Sequence, residues 1–504
     1  MIKILSKEAI GAADQHTIEN EPISSLDLME RAAERAFEKI SALFLQKGEK
    51  KEFAVFCGIG NNGGDGLVIA RKLLEQKHEV RVYLVELSSS LSKDLRANLE
   101  RLTVSEKRLN EGEHEVDIAD DVIVIDAIFG TGLSRPVEGF AKQLIEDIND
   151  QSSCTVSIDL PSGLYADEGI TSEKQIAIRA NHTLTFESPK RCFLFPELAA
   201  YVGNWQVVPI GLDREFIRKV KCDDYLLSLQ DAKEMLRTRN PFSHKGDFGK
   251  GFIVAGSRGK MGAAVLAAKA CLRSGIGLLT LQVPACGEPV LQTAVPEAMV
   301  LADKQENYVS ELKKEASYTA IGIGPGLGKA SSTQNLLKLI IQQNEAPMVI
   351  DADALNILAE NPTWLSFLTA GSILTPHFGE LERLVGKWST AEERMKKQKM
   401  FARKFNIYLL VKGKYSSISC PDGKVFFNPT GNVGMATGGS GDALAGVLTA
   451  LLAQSYSPQH AALFGTYLHG LAGDIAAKKI GVESLLPSDL IRSISDAYGE
   501  IKME

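Results

Sequence analysis

The stretch from Asn428 to Thr449, NPTGNVGMATGGSGDALAGVLT, places a glycine-dense turn directly before a helical pattern of small residues that begins near Ser440. Such a junction can bind an anion, because the free N–H groups of the first helical turn and the helix macrodipole both attract negative charge. Gly438, Gly439 and Gly441 would let a phosphate approach the main chain. The stretch therefore predicts a strand, turn and helix of an α/β fold with an anion site at the turn.

Asp442 adds a carboxylate to this turn. It could handle a substrate hydroxyl, or it could only charge the first turn of the helix, where carboxylates are favoured. Both interpretations stay open at this point. In either case the helix dipole predicts that the pKa of Asp442 is lowered.

Length and composition indicate a globular protein of two domains. A chain of 504 residues divides into two or three units at roughly 150 residues each. Hydrophobic residues make up 44% and charged residues 24%, which is enough apolar material for packed cores. The sequence has neither an apolar run of about 20 residues nor the pattern of a signal peptide at its start. We therefore expect a cytoplasmic protein with no membrane partner.

Cysteine usage and charge narrow the class of partner. The seven cysteines include no CxxC pair, which argues for reduced thiols and against a zinc site. A net charge of −7 gives no electrostatic basis for binding nucleic acid. A small-molecule partner is expected.

The first domain begins with a helical pattern over residues 1–50, with Ser24 or Ser25 as a possible N-cap and with packing as its expected role. The strand EFAVFCG and the sequence GIGNNGGDG then predict a βα unit whose turn lies at the carboxyl end of a parallel strand. Asn61 and Asn62 interrupt the GxGxxG spacing, which weakens a standard dinucleotide fingerprint. A site for phosphate, ribose or a cation, and a simple tight turn, both remain possible.

Two later segments repeat this plan. DVIVIDAIFGTGLSRP ends a buried strand at Asp126, and CTVSIDLPSGLYAD ends another at Asp159. Because both strands are continuously apolar, we expect both aspartates at the same edge of one sheet as the NNGGD turn. Carboxylates and amides at that edge would suit proton-transfer isomerisation, with Asp159 as a general acid or base and Asp126 with Asn62 holding a cation.

A charged, less periodic segment at roughly 213–224 is the candidate linker, and a second α/β pattern follows it. Strand ends place Asp351, Asp353 and His377 before helices. We find no internal repeat and no metal-ligand cluster. Lys412 could add charge near a nucleotide, or it could be a solvated lysine on an edge strand. A phosphate cradle beside a carboxylate suits phosphoryl transfer to a hydroxyl.

These motifs resemble two known domains in the order of a fused bacterial enzyme. GNNGGDG at 60–66, DAIFGTGLSRP at 126–136 and SIDLPSGL at 157–164 resemble the NAD(P)H-hydrate epimerase domain. The second domain is similar to the ribokinase-like NAD(P)H-hydrate dehydratase domain in the segments HKGDFGKG at 244–251, IGPGLG at 323–328, DADALN at 351–356, TPHFGEL at 375–381, LVKG at 410–413 and GGSGDALAG at 438–446. The set covers nearly the whole chain.

The resemblance implies a fold, a domain division and two activities. We expect a Rossmann-like three-layer α/β/α domain at 1–215 and a ribokinase-like α/β/α domain at 225–504. The first would interconvert the R and S epimers of hydrated NADH and NADPH (NADHX and NADPHX), with K⁺ bound. The second would dehydrate the S epimer at the expense of ADP with Mg²⁺. A homo-oligomer is expected.

The resemblance also assigns roles to residues. Asp159 and Asp442 would be catalytic, with Asp442 activating the hydroxyl. Substrate would be bound by Asn61, Asn62, Gly63, Gly64, Asp65, Gly130, Thr131, Gly132, Leu133, Ser134, Arg135, Pro136, Ala263, Gly326 and His377. The nucleotide would be bound by Lys412, Gly413, Lys414, Tyr415, Ser416 and Gly441. K⁺ would be held by Asn62, Asp126 and Ser162. Ser440 and Phe378 stand where the family commonly has threonine and proline.

Two rival functions are compatible with the motifs. The second domain could be a kinase that uses ATP to phosphorylate a vitamin precursor and releases a stable phosphorylated product. The first domain could be a binding or scaffold module without catalysis.

Overall fold

The computed structural model describes residues 1–45, 49–88, 90–113, 115–172, 175–313 and 317–503. The chain forms two compact units. The N-terminal unit comprises Lys3–Cys222 with Thr390–Glu392, and the C-terminal unit comprises Met1–Ile2, Asp223–Ser389 and Glu393–Glu504.

Strands and helices alternate along much of the chain. The strands of the described residues are β1 (Ile2–Lys3), β2 (Glu52–Cys57), β3 (Glu79–Val85), β4 (Lys107–Leu109), β5 (Ile123–Ala127), β6 (Cys154–Ile158), β7 (His182–Phe186), β8 (Asn204–Val208), β9 (Asp224–Leu226), β10 (Lys250–Val254), β11 (Leu278–Val283), β12 (Met299–Ala302), β13 (Ala320–Ile323), β14 (Met348–Ile350), β15 (Ile373–Leu374), β16 (Tyr408–Val411), β17 (Ser416–Ser419) and β18 (Val425–Asn428). The α-helices are α1 (Lys7–Asn20), α2 (Ser25–Phe44), α3 (Asn61–Glu75), α4 (Lys93–Glu100), α5 (Gly139–Gln151), α6 (Ala199–Val202), α7 (Arg214–Lys219), α8 (Leu229–Met235), α9 (Met261–Arg273), α10 (Glu288–Ala294), α11 (Ser331–Gln343), α12 (Asp353–Glu360), α13 (Phe378–Val385), α14 (Ala391–Phe405), α15 (Ser440–Ala453), α16 (Pro458–Ile480) and α17 (Pro487–Lys502).

The sheet of the N-terminal unit has the order β4-β3-β2-β5-β6-β7-β8, and every neighbouring pair is parallel. Alternate residues of β2 enter two different cores, with Phe53, Val55 and Cys57 in one and Ala54 and Phe56 in the other. Both faces of the sheet are therefore covered, which confirms the α/β class. The strand order reverses between β2 and β5, where open α/β sheets form a ligand crevice.

Helix α3 starts at this crevice, directly after β2. Its N-cap is Gly60, and Asn61 is its first residue. Gly63 has no room for a side chain, because a Cβ there would lie 1.8 Å from the carbonyl oxygen of Gly58. The glycines of NNGGDG thus let the helix start close to the end of β2, which brings the two asparagines to the sheet edge.

The C-terminal unit contains an eleven-stranded sheet with the order β1-β9-β18-β17-β16-β15-β14-β13-β10-β11-β12. The segment from β16 to β12 is parallel, whereas β17 pairs antiparallel with both β16 and β18. Alternating residues of β10 again enter two cores, Phe252 and Val254 in one and Ile253 in the other. The order reverses between β10 and β13. Helix α15 packs closely on α9, since a Cβ at Gly446 would lie 2.1 Å from the Ala267 oxygen.

Two details refine the predicted elements. Ser24, one of the two candidate caps, accepts a hydrogen bond from the Asp27 N–H at the start of α2. The predicted linker at 213–224 contains a short helix, α7, because Asp213 caps it by accepting from the N–H groups of Glu215 and Phe216.

Candidate functional sites

A cavity of about 610 Å³ lies in the N-terminal unit at the carboxyl ends of β2, β5 and β6. It brings together most of the residues predicted for this site: Asn61, Asn62, Asp65, Gly130, Thr131, Gly132, Leu133, Ser134, Arg135 and Asp159. Gly63, Gly64 and Pro136 do not line it. Gly64 is buried, and a Cβ there would lie 2.5 Å from Sδ of Met29.

Asp159 presents one face of its carboxylate to this cavity. Oδ1 pairs with the Lys190 ammonium at 3.0 Å and accepts from the Phe186 N–H at 3.3 Å and the Thr185 hydroxyl at 3.4 Å. Within the described residues Oδ2 takes no hydrogen bond. The backbone φ of Asp159 is 65°, a left-handed conformation that is uncommon outside glycine and clusters at functional sites. The strand end therefore holds a fixed carboxylate with a free oxygen.

Lys190 is a buried lysine that lies outside the predicted site residues. Its side chain is 1% exposed, and its ammonium also donates to the carbonyls of Phe186 at 3.1 Å and Ser188 at 3.3 Å. The position of this lysine soon after a buried strand of the same sheet was the available signal. A charged amine so deeply buried is stable only because it is paired.

Helix α1 supplies a further carboxylate to the cavity. The predicted role of residues 1–50, which was packing only, is therefore incomplete. Asp14 lines the cavity together with Ile10. Burial and repulsion by Asp159 raise the pKa of Asp14 to about 6. The same causes raise the pKa of Asp65 well above its ordinary value. Three carboxyl groups and a single buried lysine thus share this part of the N-terminal unit.

Of the three residues predicted to hold a cation, Asp126 and Ser162 are in direct contact, and Asn62 lies against Gly130 in the loop that follows β5. The Ser162 hydroxyl and N–H and the Ser157 hydroxyl all donate to Asp126, which is fully buried. Burial raises the pKa of Asp126, although these hydrogen bonds oppose the shift. Both polar atoms of the Asn62 amide are buried without a hydrogen-bond partner. A buried amide oxygen with no donor fits a cation ligand, since such groups are otherwise satisfied.

In the C-terminal unit the glycine turn leads into α15 as predicted. Gly439 is the N-cap and has φ 106°, which requires glycine. A Cβ at Gly441 would lie 3.4 Å from the Lys412 Nζ and 3.7 Å from Oδ2 of Asp351. A Cβ at Gly438 would meet no atom within 4 Å. The helix start is therefore open on one side and faces a charged pair on the other.

Lys412 is paired and half-buried, so the solvated edge-strand interpretation is wrong. Its ammonium lies 2.7 Å from Oδ1 of Asp351 and 3.8 Å from Oε2 of Glu380. Burial alone would lower its pKa, but the attraction of these two carboxylates raises it. Asp351 is also fixed by the Thr375 hydroxyl at 2.8 Å. Asp351 and Glu380 were not among the predicted site residues.

The pKa of Asp442 is raised to about 6, which corrects the predicted lowering. Burial is the largest cause, and repulsion from Asp351 adds to it, while Lys412 opposes the shift. The helix dipole is outweighed because the carboxylate is partly removed from water beside another negative group. A carboxylate with this pKa is mostly ionised at neutral pH and is a stronger base than the sequence predicted.

His377 caps α13 as its N-cap residue. Its Nδ1 accepts from the N–H groups of Gly379 at 3.0 Å and Glu380 at 3.3 Å, and its ring is 56% exposed. The capping bonds form with Phe378 at the first helical position. Gly326 lies against the start of α9, because a Cβ there would be 3.0 Å from the Cβ of Ala263.

The predicted nucleotide segment 412–416 is occupied by local contacts. Lys414 donates to the carbonyls of Pro429 at 3.1 Å and Gly431 at 2.8 Å, and burial lowers its pKa. The Ser416 hydroxyl donates to the Gly413 carbonyl at 3.0 Å. Lys414 thus fixes the loop that precedes the glycine turn.

The described ranges contain neither a metal-ligand cluster nor a membrane-spanning helix. No group of three or more histidine, cysteine, aspartate or glutamate side chains is placed there to hold a metal ion. None of the helices in that part of the chain combines the length and apolar character needed to cross a bilayer.

These two units define a class: an α/β protein with one candidate site at the reversal of a parallel sheet and another at a glycine-rich helix start. Comparison with known proteins finds a family model that matches each part of the chain. Residues 25–192 match the family model described as YjeF-related protein N-terminus, and residues 252–496 match the model described as NAD(P)H-hydrate dehydratase.

Two relatives align with nearly the whole chain. The chain is 36% identical to the bifunctional NAD(P)H-hydrate repair enzyme Nnr of Moorella thermoacetica, covering 97% of this chain and 95% of the relative. It is 35% identical to the enzyme of that name from Thermofilum pendens, with 99% and 95% covered. The chain belongs to the family of bifunctional NAD(P)H-hydrate repair enzymes.

A solved structure is similar to part of the chain. The ADP/ATP-dependent NAD(P)H-hydrate dehydratase of Bacillus subtilis, co-crystallised with ATP and Mg²⁺, is 29% identical. It covers 55% of this chain and 99% of its own length, with a TM-score of 0.48.

Proposed function

We propose that this chain repairs hydrated nicotinamide cofactors by two successive reactions. The domain at 1–215 interconverts the R and S epimers of NADHX and NADPHX, and the domain at 225–504 converts the S epimer back to the dihydronicotinamide. The observation that carries the proposal is the match of both family models, in order, within relatives that align over the whole chain. Each domain contains one of the two candidate sites, and each site is assigned one of the two reactions.

In the second domain the hydroxyl of the S epimer takes a phosphoryl group from ADP, which leaves AMP. Elimination of that phosphate from C6 together with a proton from C5 then restores the C5–C6 double bond of the dihydronicotinamide. Asp442 accepts the hydroxyl proton as the phosphoryl group transfers. The N–H groups at the start of α15 and the Lys412 ammonium stabilise negative charge on the phosphates. Ala263, Gly326 and His377 contact the substrate, while Gly413, Lys414, Tyr415, Ser416 and Gly441 contact the nucleotide.

In the first domain the cavity holds the hydrated nicotinamide end. Asp159 contacts the reacting end of the substrate with its free Oδ2, while the ion pair with Lys190 holds the carboxylate in place. The segment Gly130–Pro136 and the start of α3 (Asn61–Asp65) hold the rest of the substrate. The surrounding apolar residues limit the access of water, which strengthens each of these electrostatic contacts.

K⁺ fits the first domain and Mg²⁺ the second. The unpaired Asn62 amide, with Asp126 and Ser162, offers the oxygen ligands that an alkali cation prefers. When bound, K⁺ supplies a fixed positive charge beside the cavity. The described residues provide no acidic cluster of their own for Mg²⁺, so we assign Mg²⁺ to the phosphates of the nucleotide.

We place the chain in the cytoplasm as a homo-oligomer that binds neither nucleic acid nor membranes. Its scattered cysteines, none of which forms a disulfide within the described residues, suit a reducing compartment. Native mass spectrometry of the purified chain would test the assembly.

Absorbance of reduced nicotinamide tests the function directly. Purified chain is mixed with both epimers, Mg²⁺, K⁺ and either ADP or ATP. Recovery of the full amount of both epimers is expected with ADP. Recovery that stops at the S fraction would contradict the epimerase and favour a scaffold role for the first domain. No recovery with either nucleotide would favour a kinase for a vitamin precursor.

A further inference from the structure

Asp14 is a carboxyl group with a place in the cavity of the N-terminal unit and no structural role. It lies on α1 one turn after Ile10, and both residues line the main cavity. It also lines a second, adjoining cavity of about 340 Å³, where Asn61 and Asp65 are again among the wall residues. Asp14 therefore stands at the boundary of two spaces open to a ligand.

Asp14 makes no hydrogen bond and no ion pair with any other described residue. The charged groups around it belong to other elements: Asp65 on α3, Asp159 after β6, and Glu187 and Lys190 at or beyond the end of β7. Lys190 already pairs with Asp159, and Glu187 accepts from the N–H groups of Ile210 and Gly211. A half-buried carboxyl without a partner costs folding free energy, and carboxyls in such surroundings cluster at functional sites.

Epimerisation of the proposed substrate requires two proton-transfer groups. A base takes the proton of the C6 hydroxyl, the C6–N1 bond breaks with its electron pair moving to N1, and an acid protonates N1. The open chain then carries an aldehyde at C6. Rotation about the C5–C6 bond and reversal of the same steps close the ring with the hydroxyl on the other face. Atoms and charge balance with one carboxylate and one protonated carboxyl.

We propose that Asp14 is the acid of this pair and Asp159 the base, so that α1 supplies a catalytic residue. The assignment rests on the proposed function. Lys190 pairs with Asp159 at 3.0 Å, whereas Asp14 has no cation partner among the described residues and faces like charge. Burial and that repulsion raise the pKa of Asp14 to about 6, so its acid form is available near neutrality.

The test measures exchange between the purified epimers by chromatography, using the full chain without nucleotide so that dehydration does not occur. Asp14→Asn should lower kcat for exchange by about 100-fold with little change in KM, because general acid catalysis contributes this much. Asp14→Glu should recover part of the rate. The wild-type kcat should fall as pH rises above about 6, and Asp14→Asn should lose that dependence.

Stability separates catalysis from structure. Because Asp14 has no partner, Asp14→Asn should leave the melting temperature unchanged or higher, whereas a structural carboxylate would lower it. Glu19→Gln, an exposed change of equal charge on the same helix, should exchange the epimers at the wild-type rate. Normal kcat in Asp14→Asn, or an unchanged pH profile, would overturn the proposal. Absence of exchange in the wild-type chain would instead overturn the proposed function.

Discussion

Each of the two units has a buried or half-buried lysine that pairs with an aspartate. The units differ in whether that aspartate is the carboxylate proposed to take the proton. In the N-terminal unit Lys190 binds Asp159, the residue with a free oxygen toward the cavity. In the C-terminal unit Lys412 binds Asp351 and Glu380, and the carboxylate at the helix start, Asp442, has no ion pair with it. One lysine thus pairs with the carboxylate proposed as the base, whereas the other is held by neighbouring carboxylates beside the glycine-rich start of α15.

This difference follows from the two chemistries. Opening and closing the hydrated ring needs one carboxylate that accepts a proton and one carboxyl that donates a proton, and a lysine paired with only one of several carboxyls makes the two groups different. Phosphoryl transfer needs positive charge directed at phosphate, so the lysine must be anchored without being fully neutralised by the carboxylate that takes the proton. The placement of each lysine is therefore the feature that variants should probe.

Asp442→Asn should have the largest effect. Turnover of the S epimer should fall by about 1000-fold, because the base at the hydroxyl is lost. The affinity for ADP should change little, since the N–H groups of α15 and Lys412 remain. Steady-state kinetics with calorimetric titration of ADP checks both parts. Asp422→Asn, which removes an exposed carboxylate paired with Lys424, should behave as wild type, and normal turnover in Asp442→Asn would refute the role.

Removing the two lysines should give unequal losses of stability. Lys190→Met leaves the Asp159 charge buried without its cation and should cost about 3–5 kcal/mol in the free energy of unfolding. Lys412→Met should cost less, since its side chain is 23% exposed and water can partly replace it. Chemical denaturation followed separately in each unit measures the two changes. Asp159→Asn should restore part of the stability lost in Lys190→Met, and a failure to couple would contradict the pairing.

The two activities should respond to pH in opposite directions. The dehydratase needs ionised Asp442, so its kcat should rise as pH increases through about 6 and then level off. The epimerase needs protonated Asp14, so its kcat should fall as pH rises above about 6. Each limb changes by at most about tenfold per pH unit. Parallel profiles between pH 5 and 8, measured with each reaction isolated, would show that at least one assignment is wrong.

Much of the fold and of the two candidate sites could be predicted from sequence. The features that could not be predicted depend on contacts between residues that are distant in the chain. Continuous apolar strands ending in Asp126 and Asp159 fixed their common edge, because parallel strands share a direction. The glycine turn before Ser440 marked the start of α15, because a turn followed by a helical pattern is a signal local in the sequence. The roles of Asp14 and Lys190 in the site could not be predicted, because neither residue lies in a sequence motif. Only the tertiary fold brings α1 and the end of β7 together. The pKa of Asp442 was predicted in the wrong direction because burial depends on neighbours distant in sequence.

The smallest expected effect is that of Gly438→Ala, which changes only the proposed phosphate site at the start of α15. A methyl group at Gly438 would meet no atom within 4 Å, and its backbone is not left-handed, so Gly438→Ala should leave the melting temperature unchanged. The methyl group would nevertheless occupy the open side of the helix start, where a phosphate must approach the N–H groups. We expect KM for ADP to rise by about five- to tenfold, or about 1 kcal/mol, at nearly constant kcat. Gly499→Ala, which also meets no atom within 4 Å but lies on α17, is the matched control and should leave KM unchanged. An unchanged KM in Gly438→Ala would mean that the nucleotide phosphates bind away from this turn, and Lys412 would then be their main contact.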